Sequence, residues 1–314
     1  MLWFIGLGVS GISELSDRTI SVLKDAEVVY LESFTSPISE TEKEQLENIC
    51  DGEFKIAKRW LVEDGTEILD NAQKRETVLI SYGDPYIATT HLELKTRAIR
   101  DNIETKTIHS SSIVSSLIGE VGLHYYKIGK ILTIMNDSKS MITPYNTIFH
   151  NLLNKAHSLI LLEYNEDKSF FLSPQNAMSL LLDVENTQNG KIISPDTFVI
   201  VASRIGKNDQ KIISGKISNL IKKEFGEPPH SIVIPGSLHF TESDAVKMVT
   251  ECLDEPFDNS TSIKDISEKM IEKYVPMVRD ALNEIKPHYE NLKEYDDVLI
   301  NAKLYIDDAE NFLK

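Results

Sequence analysis

Short apolar runs alternate with helical periodicities from the first residue onward. Leu2 to Ile5 is apolar and is ended by Gly6-Leu-Gly8. Ile20, Leu23 and Ala26 then recur at helical spacing behind Ser16-Asp17, so the order strand, loop, helix is expected. Val28 to Leu31 is β-branched and aromatic and reads as a strand closing near Glu32, before Pro37 breaks the pattern. A polar helix around 41–49, a short apolar piece at Lys55 to Ala57 and a helix around 65–74 lead to Thr77-Val-Leu-Ile-Ser-Tyr82, a buried strand halted by Gly83-Asp84-Pro85. His91 to Arg100 has helical spacing and Glu104 to His109 alternates as a strand does. Strands alternating with helices imply parallel βαβ units.

The pattern restarts beyond Gly122. Strands are expected at Ile131 to Met135, His157 to Leu162, Thr197 to Ala202, Lys211 to Ile213 and His230 to Ile234. Helices are expected from Pro144 with Thr143 as its cap, from Pro174 to Asp183, from Lys216 to Phe225, and from Ser237 onward. The fold class is therefore α/β: an N-terminal α/β domain over 1–112, a second over 113–252, and an extension over 253–314. In the extension, Ile263, Ile266, Met270, Tyr274 and Val278 share one helical face behind Ser262 and Asp265. Leu292, Tyr295, Leu299, Ala302, Ile306, Ala309 and Leu313 repeat in steps of three and four, the seam of a helix that packs on another helix.

Composition narrows the class. The chain has 314 residues, 41% hydrophobic and 26% charged, which suits a soluble globular protein of two domains. The net charge of −16 disfavours phosphate backbones and anionic lipid as partners. Residues 253–314 hold 15 acidic and 8 basic side chains, so the extension alone carries −7 of that charge. Cys50 and Cys252 form no CxxC pair, and no run approaches the roughly 18 apolar residues of a membrane span. A cytoplasmic protein without a thiolate zinc site is expected.

Gly6-Leu-Gly-Val-Ser-Gly11 matches G-x-G-x-x-G after a strand, with Glu32 where a ribose-binding carboxylate would stand. That motif needs the helix to begin inside it, whereas Ser16-Asp17 begins this helix later and brings a carboxylate of the wrong sign for a phosphate. Gly83-Asp84-Pro85 offers a tight turn at the carboxyl end of a strand, where open α/β sheets bind ligands. Ala88-Thr-Thr-His91 and Ser110-Ser-Ser-Ile113 add hydroxyls suited to a ribose. The eight histidines show no metal-ligand spacing, and neither a G-x-S-x-G elbow nor a Walker loop occurs. Residue chemistry alone reaches a two-domain α/β ligand binder.

Taken in order, Leu2-Trp-Phe-Ile-Gly-Leu-Gly8, Tyr30-Leu-Glu-Ser-Phe-Thr-Ser36, Gly83-Asp-Pro-Tyr-Ile-Ala-Thr-Thr-His91, Ile108-His-Ser-Ser-Ser-Ile113 and Gly122-Leu-His-Tyr-Tyr-Lys-Ile-Gly129 closely resemble the diphthine synthases. These are tetrapyrrole-methylase-like, S-adenosylmethionine-dependent methyltransferases. His157-Ser-Leu-Ile-Leu-Leu-Glu163, Ser203-Arg-Ile-Gly206, Phe225-Gly-Glu-Pro-Pro-His230 and Pro235-Gly-Ser-Leu-His239 extend the resemblance to about residue 250. Ile128 stands where the family usually has Phe, a conservative apolar change, and Ser203-Arg-Ile stands where Ala-Arg-Ala or Ala-Arg-Val is common, which keeps the arginine and alters only the lining of the implied cofactor pocket.

The resemblance implies two α/β domains of the tetrapyrrole methylase type with S-adenosyl-L-methionine in the cleft between them and no metal. Carried over position by position, the cofactor contacts are Val9, Asp84, Ile87, Ser112, Ile113, Leu162, Ile205 and His230. The implied reaction methylates the amino group of a 3-amino-3-carboxypropyl-histidine on translation elongation factor 2, in diphthamide biosynthesis, by a homodimer. No catalytic base is assigned; Glu32, His91 and His109 stand near the right strand ends. A methylase of a small heterocycle such as a tetrapyrrole, or a catalytically silent scaffold binding the elongation factor, are the competing expectations. The extension inherits no role from the resemblance.

Overall fold

The computed structural model describes residues 1–259 together with Val275, Pro276, Arg279, Asp280 and Glu284. The two helical faces expected in the acidic extension lie outside the described residues.

The first half builds a parallel sheet from β1 (Leu2–Gly6), β2 (Val28–Glu32), β3 (Glu53–Ala57), β4 (Thr77–Ser81) and β5 (Thr105–Ile108), in the order β3-β2-β4-β1-β5. Between the strands run α1 (Asp17–Asp25), α2 (Glu40–Ile49), α3 (Arg59–Asp64), α4 (Thr66–Lys74) and α5 (His91–Arg100). Among these helices only α3 is absent from the sequence expectation. Ile5, Val29, Leu31, Val78 and Ile80 pack with Leu23 of α1 and Leu46 of α2 on one face. Phe4, Tyr30 and Leu79 pack with Val62, Ile68 and Leu94 of α3, α4 and α5 on the other. Burial on both faces is why these strands read as continuous apolar runs rather than alternating ones.

Helix positions expose a break in the winding. The chain leaves β1 through α1 on one face, and leaves β4, its neighbour, through α5 on the opposite face. Diverging connections open a crevice at the carboxyl ends of these two central strands, where ligands of open α/β sheets bind.

The second half holds α6 (Ile113–Glu120), β6 (Leu132–Ile134), α7 (Ile142–Leu153), β7 (Ser158–Leu162), β8 (Tyr164–Asn165), β9 (Phe170–Phe171), α8 (Pro174–Gln188), β10 (Phe198–Ser203), β11 (Lys211–Lys216), α9 (Ile217–Leu220), β12 (His230–Ile234), α10 (Phe240–Val249) and β13 (Glu251–Cys252). Its six-stranded sheet, β13-β11-β10-β12-β7-β6, is antiparallel at the centre and parallel only at its edges. The βαβ alternation is thus a parallel rule in the first half alone. β8 and β9 form a hairpin stapled by the stacked rings of Tyr164 and Phe171, 4.5 Å between centroids.

Two helix expectations change. α7 is entered through a 3-10 turn at Ser138–Met141 capped by the Asp137 side chain on the Lys139 N–H (3.1 Å), so Thr143 lies inside the helix rather than at its cap. Pro144 remains in the first turn, where its missing N–H costs nothing. The helix expected over 216–225 shrinks to α9, after which the backbone turns through three-residue bonds, Lys222 N–H to Asn219 O (3.4 Å) and Lys223 N–H to Leu220 O (2.9 Å).

One buried carboxylate ties this half together. Glu242, at the start of α10, accepts from the His157 Nε2–H (2.9 Å), the His124 N–H (2.9 Å), the His239 N–H (2.8 Å) and the Lys127 ammonium. The Gly236 N–H donates to His157 Nδ1 (3.0 Å), which leaves the proton on Nε2. Burial pushes the Glu242 carboxyl up, but Lys127 and the two amides outweigh it and hold it down at about 2. Glu242→Ala would strand His157 and Lys127, and a loss of about 3–5 kcal/mol is expected. Urea denaturation of the variant beside Glu242→Gln, which keeps the shape and loses less, measures it.

Candidate active site

The site starts where β1 and β4 end. Leu7 N–H reaches Ser81 O (2.9 Å), and Gly8 and Gly83 exchange both backbone bonds (3.1 Å each). A Cβ on Gly6 would lie 2.4 Å from the Gly83 carbonyl, so only glycine lets the two loops approach this closely. The carboxylate of Glu14 fills the far side of the first loop: it accepts the Ser10 N–H (2.9 Å) and the Ser111 hydroxyl (2.5 Å). Burial pushes this carboxyl up, yet the Ser111 and Ser10 donors prevail and hold it below the usual range. An internal carboxylate thus occupies the place a pyrophosphate would need, and α1 starts only at Asp17, capped by Ser16. The glycine pattern is not a dinucleotide loop.

In the second loop, Asp84 is 5% exposed; its Oδ1 accepts the Tyr86 N–H (3.0 Å) and its Oδ2 pairs with His109 Nδ1 (2.7 Å). Ser112 caps α6 through the Val114 N–H (3.2 Å). Ser111 is spent on Glu14 and on the Val9 N–H (2.9 Å), so of the expected hydroxyls Thr89, Thr90 and Ser112 face the opening.

A cleft of about 400 Å³ lies between these loops and the second sheet. All eight residues named from the sequence line it: Val9, Asp84, Ile87, Ser112 and Ile113 from one side, Leu162, Ile205 and His230 from the other. Burial pushes His230 down, so the ring is neutral at pH 7, and its buried Nε2 has no hydrogen-bond partner among the described residues. Arg59, Met135, Tyr164 and Phe171 also line the cleft and were not singled out from the sequence. Arg59 had a usable signal, since it follows the carboxyl end of β3 as the other site residues follow theirs. The aromatic pair had none, because a hairpin of two-residue strands leaves no periodicity.

Beneath the Phe34–Thr35 wall sits a buried acid and base. Glu32 Oε1 accepts the Phe34 N–H (2.7 Å) and the Thr35 N–H, while Oε2 lies 3.8 Å from His91 Nε2. His91 Nδ1 donates to the Pro85 carbonyl (3.0 Å), so Nε2 is the unprotonated nitrogen. Of the two histidines near these strand ends, His91 is buried and bonded to the Pro85 carbonyl, and His109 is mostly exposed and held by Asp84.

The fold and cleft define an α/β class of two sheets with a ligand cleft between them. Residues 1–221 match the tetrapyrrole (corrin/porphyrin) methylases. The chain is 35% identical over 256 residues to the diphthine synthase of Methanocaldococcus jannaschii, covering 80% of this chain and 99% of that one. It is 33% identical over 246 residues to that of Methanothermobacter thermautotrophicus, covering 78% and 93%. A crystal structure of a diphthine synthase superposes with a TM-score of 0.71 at 27% identity, covering 80% of this chain and 96% of that one. The chain belongs to the diphthine synthase family, and with it to the S-adenosylmethionine-dependent methyltransferases.

The buried pair sets a pH dependence. Burial pushes His91 down to about 4, partly opposed by its Pro85 bond, and pushes Glu32 up to about 6 against the Thr35 and Phe34 donors. Between about pH 6.5 and 4 the unfolded chain takes a proton on His91 that the fold refuses, so stability falls by about 3 kcal/mol on acidification. Glu32 acts oppositely: the fold holds its proton more tightly, and about 2 kcal/mol is regained as pH falls from about 6 to 4.5. Urea midpoints at pH 7 and 4.5 test both signs: His91→Asn should flatten the acid-side loss, and Glu32→Gln should steepen it.

Proposed function

We propose that the protein methylates the amino group of the 3-amino-3-carboxypropyl-histidine on translation elongation factor 2, with S-adenosylmethionine bound in the cleft. The observation that carries this is the convergence of eight residues from both halves of the chain on one opening. The opening suits the cofactor: Val9, Ile87, Ile113, Leu162 and Ile205 would hold its apolar parts, and Asp84, Ser112 and the partnerless His230 Nε2 its polar ones. Bound there, the cofactor supplies an electrophilic methyl group.

The rest falls to this chain. Apolar walls exclude water and favour the neutral, nucleophilic amine, while the rigid loops fix its approach. Overall, one amine N–H becomes N–CH3, the sulfonium becomes a thioether and one proton is released. The proposal includes 1–112 and 113–252 as the domains flanking the cleft, a homodimer, and a cytoplasmic location. The net charge of −16 weighs against nucleic acid and anionic membrane as partners.

Calorimetry with S-adenosylhomocysteine is expected to give one site per chain. Ile87→Arg, at a position 39% exposed and thus tolerant of change, should weaken it at least about tenfold by filling the cleft. Labelled methyl should pass to elongation factor 2 carrying the carboxypropyl-histidine; no transfer to that substrate would overturn the reading. Sedimentation of the full chain should give twice the monomer mass.

A further inference from the structure

Four charged side chains line the cleft: Arg59, Asp84, Glu163 and Arg204. Three already have protein partners. Asp84 holds Tyr86 and His109, and Glu163 Oε2 accepts the Asn136 N–H (2.7 Å). Arg204 clasps Asp209 through Nε (2.6 Å) and its carbonyl (3.0 Å), and also donates to the Phe225 and Glu227 carbonyls. Four of its five N–H donors are thereby taken by the protein.

Arg59 differs. Among the described residues its one ion pair is with Glu63 at 3.3 Å, on the same short helix, between side chains 56% and 45% exposed, and its charge is also felt by the buried Glu32 carboxyl. An exposed pair of this kind is worth little and is readily given up. The guanidinium is nevertheless not free to wander, for it lies 4.7 Å from the centroid of the Phe34 ring, which forms part of the cleft wall. The Thr35 and Ser36 hydroxyls line the same stretch.

We infer that Arg59, stacked on Phe34, is the subsite for the substrate carboxylate, so that the enzyme recognises an amino-acid group rather than a bare amine. The inference rests on the function proposed above. The group to be methylated carries its amine and its carboxylate on the same carbon. A carboxylate drawn into a largely apolar cleft without a cation is costly, and an arginine fork matches its two oxygens. Anchoring those oxygens fixes the amine one carbon away, which is what an in-line transfer requires.

Arg59→Met and Arg59→Lys in the full chain test this. The S-adenosylhomocysteine dissociation constant should stay within about threefold of wild type in both, and melting temperatures should be unchanged. First-methyl transfer to the elongation-factor intermediate should fall about 100-fold in kcat/KM for Arg59→Met, with KM raised and Arg59→Lys recovering part of the loss. Wild-type transfer by Arg59→Met would overturn the inference. A parallel fall in S-adenosylhomocysteine affinity would overturn it too, by giving Arg59 to the cofactor's own carboxylate. If the wild-type protein transfers no methyl to this substrate, the functional proposal fails and the subsite with it; if wild type transfers and Arg59→Met matches it, only the subsite fails.

Discussion

Everything at the site depends on how closely two backbones approach at the ends of β1 and β4. Gly8 and Gly83 bond to each other through both N–H and C=O groups, and Gly6 sits so near the Gly83 carbonyl that a methyl group would separate the loops. Because the chain leaves these adjacent strands on opposite faces, the bonded loops form the floor of a crevice rather than the root of a helix. The second sheet closes over that floor with Leu162, Ile205 and His230. A cleft built this way needs both halves, which is why its residues are spread from Val9 to His230.

Electrostatics follow the same design. Charges at the site are mostly consumed internally: Glu14 by serines, Asp84 by an amide and His109, Arg204 by Asp209 and carbonyls. Burial keeps His91 and His230 neutral at pH 7. What remains facing the opening is largely apolar wall with a few hydroxyls and one loosely held guanidinium. Such a lining suits a reaction whose nucleophile is a neutral amine, where alignment and exclusion of water matter more than a strong base.

Much of this was legible in the chain, and the exceptions share a cause. Strands such as Val28–Glu32 and Thr77–Ser81 announce themselves because burial on both faces demands unbroken apolar runs. Ser16 marks a helix start because its hydroxyl satisfies a free amide, a local requirement visible within a few residues. Contacts made at long range left no such mark. Glu14 meets Ser111 across 97 positions, and that bond adds to the late start of α1 in setting the glycine loop apart from a dinucleotide loop. The antiparallel centre of the second sheet and the Tyr164–Phe171 hairpin likewise depend on which segments meet, not on any spacing within them. Thr143 misled because a 3-10 turn precedes α7, moving the helix start upstream of a residue with good capping chemistry.

In the proposed function the cofactor binds where the two halves meet, on the paired glycine loops. A crystal structure of the protein with S-adenosylhomocysteine tests this most directly. The expected result is a ligand touching the Asp84–Ile87 loop and Ser112 from one side and Ile205 and His230 from the other. A ligand bound to the first sheet alone, or outside this cleft, would contradict it.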